Sequence, residues 1–187
     1  MGADQQLFEQ LNKLRDSATI IVGIGNTLKG DDGAGPLVCQ QLSGKVCAEL
    51  IDAGTVPENY IQPIIKKAPQ NLLIIDAIDF GAPAGTINIF KPEQLSSSAF
   101  STHTLSPRLF ADMVCQDIKG VPQSPPSRGL TPAQAGENSA FGGPNVDVYF
   151  VGIQPAQTQL GQPQSAQVSQ AIQWLVRALI EIFPLRK

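Results

Sequence analysis

GIGNTLKGDDGAG, residues 23–35, is the stretch that decides the fold, because it links an apolar strand to a helix through a glycine-rich turn. The apolar run over 18–22 predicts the strand. Phosphate-binding loops share this plan, but a dinucleotide fingerprint needs a glycine where Leu28 stands. A mononucleotide loop needs a lysine and a hydroxyl residue, and this turn carries Asp31 and Asp32 there. Two adjacent carboxylates would repel a phosphate and attract a cation, so the turn favours a metal over a nucleotide.

Composition predicts one globular domain, which we assign to residues 1–187. The chain is 42% hydrophobic and has a formal net charge of −3, which excludes a disordered protein. It has no basic run, so neither nucleic acid nor a membrane surface is an expected partner. No apolar run approaches the roughly 20 residues that span a membrane, and the polar N-terminal stretch does not resemble a signal peptide. Three cysteines without CxxC spacing indicate ordinary buried thiols in a reducing cytoplasm: Cys39, Cys47 and Cys115. We expect the protein to be a monomer.

Hydrophobic periodicity predicts strands and helices that alternate along the chain. Such alternation is typical of an α/β fold with a mostly parallel sheet covered on both faces. A proline in the first turn is tolerated by a helix, which allows Pro36 and Pro57 near helix starts. The predicted strands cover 18–23, 45–52, 71–79, 85–90 and 146–153, and the predicted helices cover 5–16, 32–43, 56–67, 106–117 and 165–183.

Residues 119–145 differ from the rest of the chain. They are rich in Pro, Gly, Ser and uncharged polar residues and have no periodicity. A loop of this length inside a compact domain is either a functional flap or a disordered insert. We favour the disordered insert.

Acidic residues occur where the predicted strands end. The carboxyl ends of parallel strands meet at one edge of the sheet, and ligands bind there in open α/β sheets. Carboxylates from separate strand ends, together with an imidazole, form a plausible divalent-metal site. The polar residues at these ends are Asp31, Asp32, Asp52, Asp76 and Asp79, together with His103, the chain's single histidine.

Four of these residues have a simpler interpretation. Asp31 or Asp32 could cap the helix that follows them, as aspartate often does. Asp76 could accept loop amides at its strand end, and His103 could be a solvated surface residue. The residues alone leave these alternatives open beside an acidic metal site.

Five separated segments form a recognisable set: GIGNTLKGDDGAGPLV, DAGTVPEN, LLIIDAIDFG, STHTLSP and VGIQP. In order and spacing they resemble the hydrogenase maturation proteases, endopeptidases that trim the large subunit of nickel-iron hydrogenases. The branch that serves the formate-hydrogenlyase-type hydrogenase is the most similar. The resemblance covers roughly 18–115 and 146–180.

The resemblance implies a three-layer α/β/α sandwich whose five-stranded sheet has the order 2-1-3-5-4, with strand 4 antiparallel. It also implies that Asp32, Asp76 and His103 contact the metal and carry catalysis. Asp31 is then a helix cap or a carboxylate that supports the site. No separate cofactor-binding residues are implied.

The resemblance further implies an endopeptidase that removes the C-terminal extension of a nickel-loaded large-subunit precursor. The nickel would be carried by that precursor. The sequence offers no GxSxG elbow or Cys–His signature, so we expect water to attack the peptide, with an aspartic-protease-like role of Asp32 and Asp76 as the alternative. A non-catalytic assembly chaperone and a nucleotide-binding module remain the other hypotheses.

Overall fold

A computed structural model of the protein describes residues 2–95, 107–120 and 146–185. Most of the predicted insert and residues 96–106, which include His103, lie outside these residues. In the described part, the strands are β1 Thr19–Ile24, β2 Glu49–Gly54, β3 Asn71–Ala77, β4 Ile87–Phe90 and β5 Asp147–Ile153. The α-helices are α1 Ala3–Asn12, α2 Ala34–Leu42, α3 Ile61–Lys67, α4 Pro107–Gly120 and α5 Ala166–Ile182, and short 3-10 helices cover Gly30–Gly33, Pro57–Tyr60 and Pro92–Gln94.

The five strands form one sheet in the order β2-β1-β3-β5-β4. β1 runs parallel to β2 and β3, β3 runs parallel to β5, and β4 pairs antiparallel with β5 at an edge. Every residue of β1 and β3 is buried, as expected of central strands covered on both faces. The predicted strand order and the antiparallel fourth strand are confirmed.

Two hydrophobic cores cover the two faces of the sheet. Side chains alternate between the faces of β3: Leu73 and Ile75 belong to one core, and Leu72 and Ile74 belong to the other. The first core contains α1, α2 and α5, and the second contains α3 and α4. The predicted three-layer sandwich is therefore confirmed.

The boundaries of two elements differ from the prediction for identifiable reasons. β2 begins at Glu49 instead of residue 45, because the residues before it pair with the chain after α5: Val46 bridges Pro184, and the Cys47 N–H donates to the Phe183 carbonyl at 2.9 Å. The helix predicted over 32–43 begins as the 3-10 turn Gly30–Gly33 before α2. Pro36 falls in the first turn of α2, as predicted.

Candidate active site

The candidate site lies at the edge of the sheet where the parallel strands end. β1, β2, β3 and β5 run in the same direction, so their carboxyl ends lie together at what we call the site edge. The β1 loop, residues 25–33, leaves β1 there, and the β5 loop, residues 154–165, leaves β5. The acidic residues predicted from the sequence lie on or next to these strand ends.

Glycines let the β1 loop fold tightly onto itself. Gly25 has a φ of +144°, and a Cβ atom on it would clash with the backbone of Asp32. A Cβ atom on Gly33 would lie 2.8 Å from the Cα of Thr27, which is too close for any other residue. A Cβ atom on Gly35, at the start of α2, would clash with the carbonyl oxygens of both β1 and β3. The glycines therefore bring the acidic turn against the end of the central strands.

Asp32 is held inside the β1 loop and is 2% exposed. One of its carboxylate oxygens, Oδ2, accepts the Asn26 N–H at 3.0 Å, and Asn26 Oδ1 in turn accepts the Leu28 N–H at 2.9 Å. The 3-10 helix that carries Asp32 packs against β3. The carboxylate is therefore fixed beside the end of the strand that carries Asp76.

Asp76 is the penultimate residue of β3 and is fully buried. In the sheet, Asp76 pairs with Gly152 of β5. The preceding residue, Ile75, also pairs with β1, which lies on the other side of β3. Carboxylates are rarely buried unless a partner or a function compensates for lost hydration. The structure thus brings two of the three predicted site residues, Asp32 and Asp76, to the same part of the site edge.

Asp31 contacts the β5 loop and caps no helix. Its carboxylate is fully buried and accepts three backbone N–H groups of the β5 loop: Ala156 at 2.8 Å, Gln157 at 3.1 Å and Ser165 at 2.7 Å. Neither the 3-10 turn nor α2 has a side-chain cap, so the helix-cap alternative is wrong, and the alternative of a carboxylate that supports the site remains. The N–H groups of the β5 loop bind the Asp31 carboxylate instead of the helix doing so. The β5 loop contains no carboxylate of its own, and a charged acceptor forms stronger hydrogen bonds than a neutral one. Asp31 therefore ties the β5 loop to the β1 loop.

Asp52 and Asp79 are exposed and make turns. Asp52 Oδ1 accepts the Gly54 N–H at 3.1 Å, and Asp79 Oδ1 accepts the Gly81 N–H at the same distance. Hydrogen bonds from the Gln154 side chain and from Gly81 lower the pKa of Asp79. These two exposed carboxylates are therefore held in local turns.

Gln154 was missed by the sequence reasoning. It is 6% exposed, and its Oε1 accepts the N–H groups of Phe80 at 2.9 Å and Ala82 at 3.2 Å. Its Nε2 donates to Asp79 Oδ1 at 3.0 Å. The signal was a glutamine directly after a buried strand in VGIQP, since a polar side chain at such a position needs partners. Gln154 fixes the segment that follows β3 beside the site.

The described thiol nearest the β1 strand end is not a nucleophile. Burial raises the pKa of Cys39 to about 12, so the thiol stays protonated near neutral pH. Its Sγ donates to the Ile51 carbonyl at 3.5 Å in the core between α2 and β2. Cys39 is a core residue, as predicted, but Cys47 is exposed and Cys115 is half-buried, so the prediction of three buried thiols is wrong for these two.

The predicted metal set is only partly visible. Within residues 2–95, 107–120 and 146–185, no three His, Cys, Asp or Glu side chains are grouped as metal ligands. His103, the third predicted ligand, lies outside these residues, so the set remains a prediction.

In the described part of the chain, no helix is long and apolar enough to cross a membrane.

Known proteins are similar to this chain in sequence and in fold. A family model described as hydrogenase maturation protease matches residues 39–114. The hydrogenase 3 maturation protease of Escherichia coli (strain K12) is 34% identical over 102 residues, 53% of this chain and 65% of that protein, so the match spans just under two thirds of this relative. The crystal structure of the [NiFe] hydrogenase maturation protease HycI from Thermococcus kodakarensis KOD1 has a TM-score of 0.71 at 25% identity, covering 93% of this chain and 97% of that one. The solution structure of the endopeptidase HycI from Escherichia coli has a TM-score of 0.67 at 27% identity, covering 88% and 90%.

Proposed function

The chain matches the hydrogenase maturation protease family in sequence and in fold, and from this premise we propose that it is an endopeptidase. Its substrate is the nickel-loaded precursor of a nickel-iron hydrogenase large subunit, and it removes the C-terminal extension. The observation that carries the proposal is the pair of buried carboxylates, Asp32 and Asp76, at the site edge. We further propose that it acts in the cytoplasm as a monomer.

Hydrolysis requires a water oxygen to bond to the peptide carbonyl carbon while the C–N bond breaks and the leaving amine takes a proton. A positioned carboxylate can accept the proton from the water and deliver it to the amine. Asp32 and Asp76 are suited to these roles because both are buried at the same edge. Cys39, the thiol near the end of β1, stays protonated, so water is the nucleophile in this proposal.

The nickel is part of the substrate in this proposal. Carboxylate and imidazole groups are suitable ligands for a divalent metal, so Asp32, Asp76 and His103 would contact it together. When bound, it would supply Lewis-acid polarisation of the scissile carbonyl. The cysteines of the precursor hold the metal before docking, so we expect the isolated enzyme to bind nickel weakly.

The test is incubation with nickel-loaded and nickel-free precursor, with intact mass as the readout and enzyme that has been stripped with chelator. We expect the extension to be lost only from the nickel-loaded form. Asp32→Asn, Asp76→Asn and His103→Ala should each abolish processing while unfolding remains cooperative. Asp79→Asn is the matched control, since this exposed carboxylate at the same edge should retain processing within about threefold.

Three outcomes would contradict the proposal. Cleavage of nickel-free precursor by stripped enzyme would remove the metal requirement and favour the aspartic-protease-like alternative. Binding of the precursor without loss of mass would identify an assembly chaperone. Near-normal processing by two of the three site variants would overturn the assignment of the site.

A further inference from the structure

Two leucines at the site edge are unusually exposed. Among the large hydrophobic side chains in the described part of the chain, Leu160 at 73% and Leu28 at 67% have the highest exposure. Single exposed leucines are common and need no explanation. These two, however, are neighbours, and we call them the leucine pair.

The pair is joined by the backbone. Leu28 lies in the β1 loop and Leu160 in the β5 loop, far apart in sequence. The N–H of Gly161 donates to the carbonyl of Leu28 at 2.8 Å, which places the residue after Leu160 directly against Leu28. The Gln162 N–H donates to the Gln159 carbonyl at 3.2 Å, so Leu160 is at the tip of a turn. Gly161, with a φ of +79°, occupies the left-handed position that such a turn requires.

Both loops are braced, so the exposure of the leucines is a fixed feature of the surface. The Asp31 carboxylate accepts N–H groups at both ends of the β5 loop, and the Asp31 N–H donates to the Gln157 carbonyl at 2.9 Å. Gln157 Nε2 also donates to the Pro163 carbonyl at 2.6 Å, closing the loop on itself. A preorganised apolar surface loses little entropy when a partner binds.

The leucine pair adjoins the candidate catalytic carboxylate. Leu28 is four residues before Asp32 in the same loop, which is tightened by hydrogen bonds from Lys29 N to Asn26 O at 3.0 Å and from Asp32 N to Lys29 O at 3.1 Å. Consecutive Cα atoms are about 3.8 Å apart, so Leu28 lies at most about 15 Å from Asp32. An extended peptide covers this distance in about five residues. A substrate cut beside Asp32 therefore has residues that reach the leucine pair.

The chemistry around the pair selects an uncharged occupant. The β5 loop contains no Asp, Glu, Lys, Arg or His, and its polar side chains are glutamine, threonine and serine. Lys29 is the single cation of the β1 loop. An apolar centre whose hydrogen-bonding rim is neutral apart from this lysine is compatible with a protein interface.

We propose that Leu28 and Leu160 form the docking surface for an apolar stretch of the precursor chain next to the scissile bond. This inference rests on the proposed function, because the precursor is the polypeptide that must approach Asp32. Leu28 and Leu160 thereby contribute to selecting the precursor.

The test separates binding from cleavage. Binding of nickel-loaded precursor is measured on an Asp32→Asn background, with and without the double substitution Leu28→Gln/Leu160→Gln. Cleavage kinetics are measured with the same leucine substitutions on the native Asp32 background. We expect Kd to rise at least tenfold and kcat/KM to fall at least tenfold, with the loss in KM. Leu185→Gln is the matched control, since this leucine is 55% exposed and follows Pro184, near the opposite edge of the sheet.

The outcomes distinguish this inference from the proposed function. If the parent enzyme cleaves the precursor and the double variant has unchanged Kd and KM, the docking surface is wrong and the protease assignment stands. If the parent binds without cleaving and the double variant loses binding, the docking surface stands and the protease assignment fails. If the parent neither binds nor cleaves, or if Leu185→Gln weakens binding as much as the double variant, the docking surface is overturned. Thermal unfolding of the double variant should match that of the parent within a few degrees, because both side chains are exposed.

Discussion

The substitution Asp31→Asn tests whether the two adjacent aspartates have different roles. We expect it to lower the stability of the fold and to leave catalysis intact. The Asp31 carboxylate accepts Ser165 N–H on Oδ1 and the N–H groups of Ala156 and Gln157 on Oδ2. Asparagine keeps one acceptor oxygen and replaces the other with an NH₂ group. In either orientation, at least one backbone N–H of the β5 loop then faces a donor.

The cost of this substitution follows from those three bonds. In the better orientation the amide oxygen keeps Ala156 and Gln157, and each bond loses about 1 kcal/mol as a charged acceptor becomes neutral. The Ser165 N–H loses its acceptor, which costs about 1–3 kcal/mol. The total is about 3–5 kcal/mol, and at about 2–4 °C per kcal/mol for a protein of this size the melting temperature falls by roughly 6–20 °C.

Asp32→Asn is the matched comparison because the substitution is chemically identical one residue later. An asparagine oxygen can still accept the Asn26 N–H at the position of Oδ2, so this hydrogen bond is kept in the variant. We expect processing to be abolished in this variant and retained in Asp31→Asn when the assay is run well below its melting temperature.

The assay is thermal or urea unfolding by circular dichroism, with precursor processing followed by intact mass at low temperature. An unchanged melting temperature in Asp31→Asn would refute the reasoning about the three loop amides. Folded Asp31→Asn that cannot process precursor, beside active Asp32→Asn, would show that the roles of the two aspartates are reversed.

Three further predictions concern other parts of the chain. Gln154→Ala removes the acceptor of two loop N–H groups and should cost about 1–3 kcal/mol in urea unfolding. It should also raise the pKa of Asp79 toward its ordinary value in an NMR titration, because the hydrogen bond from Gln154 lowers this pKa in the native protein. The stability that this hydrogen bond contributes is present above the unfolded pKa of about 3.9 and is lost as the pH falls through the folded pKa. An unshifted Asp79 titration would contradict this. At pH 8, a thiol reagent should label the exposed Cys47 quickly, as measured by peptide mass. It should label Cys39 only after unfolding, because this thiol is buried and has a pKa of about 12. Rapid labelling of Cys39 in the native protein would contradict this prediction. Deleting about 20 residues within 119–145 should preserve cooperative thermal unfolding, because closure entropy depends weakly on loop length; loss of processing alone would show that the segment contacts substrate.

Local patterns were sufficient for the α/β class and for the alternation of strands and helices. Buried runs such as residues 71–77 alternate with amphipathic helices, and a glycine-rich turn joins the first pair, so the elements follow from side-chain period and turn chemistry. The strand order came from the resemblance of the five motifs to a known family. The same strand-end logic placed Asp32 and Asp76 at one edge, because parallel strands must end together.

The family resemblance assigned the metal to Asp32, but only the tertiary structure decided which distant backbone groups Asp31 contacts. Nothing local distinguishes Asp31 from Asp32: the difference arises because three amides of the β5 loop, far away in sequence, meet one carboxylate and not the other. The meeting of Leu28 with the turn at Leu160 has the same origin, since a hydrogen bond between two loops depends on how α2 and α5 pack against the sheet. Periodicity specifies which face of an element is buried, but it carries no record of which distant backbone group will lie opposite a given side chain.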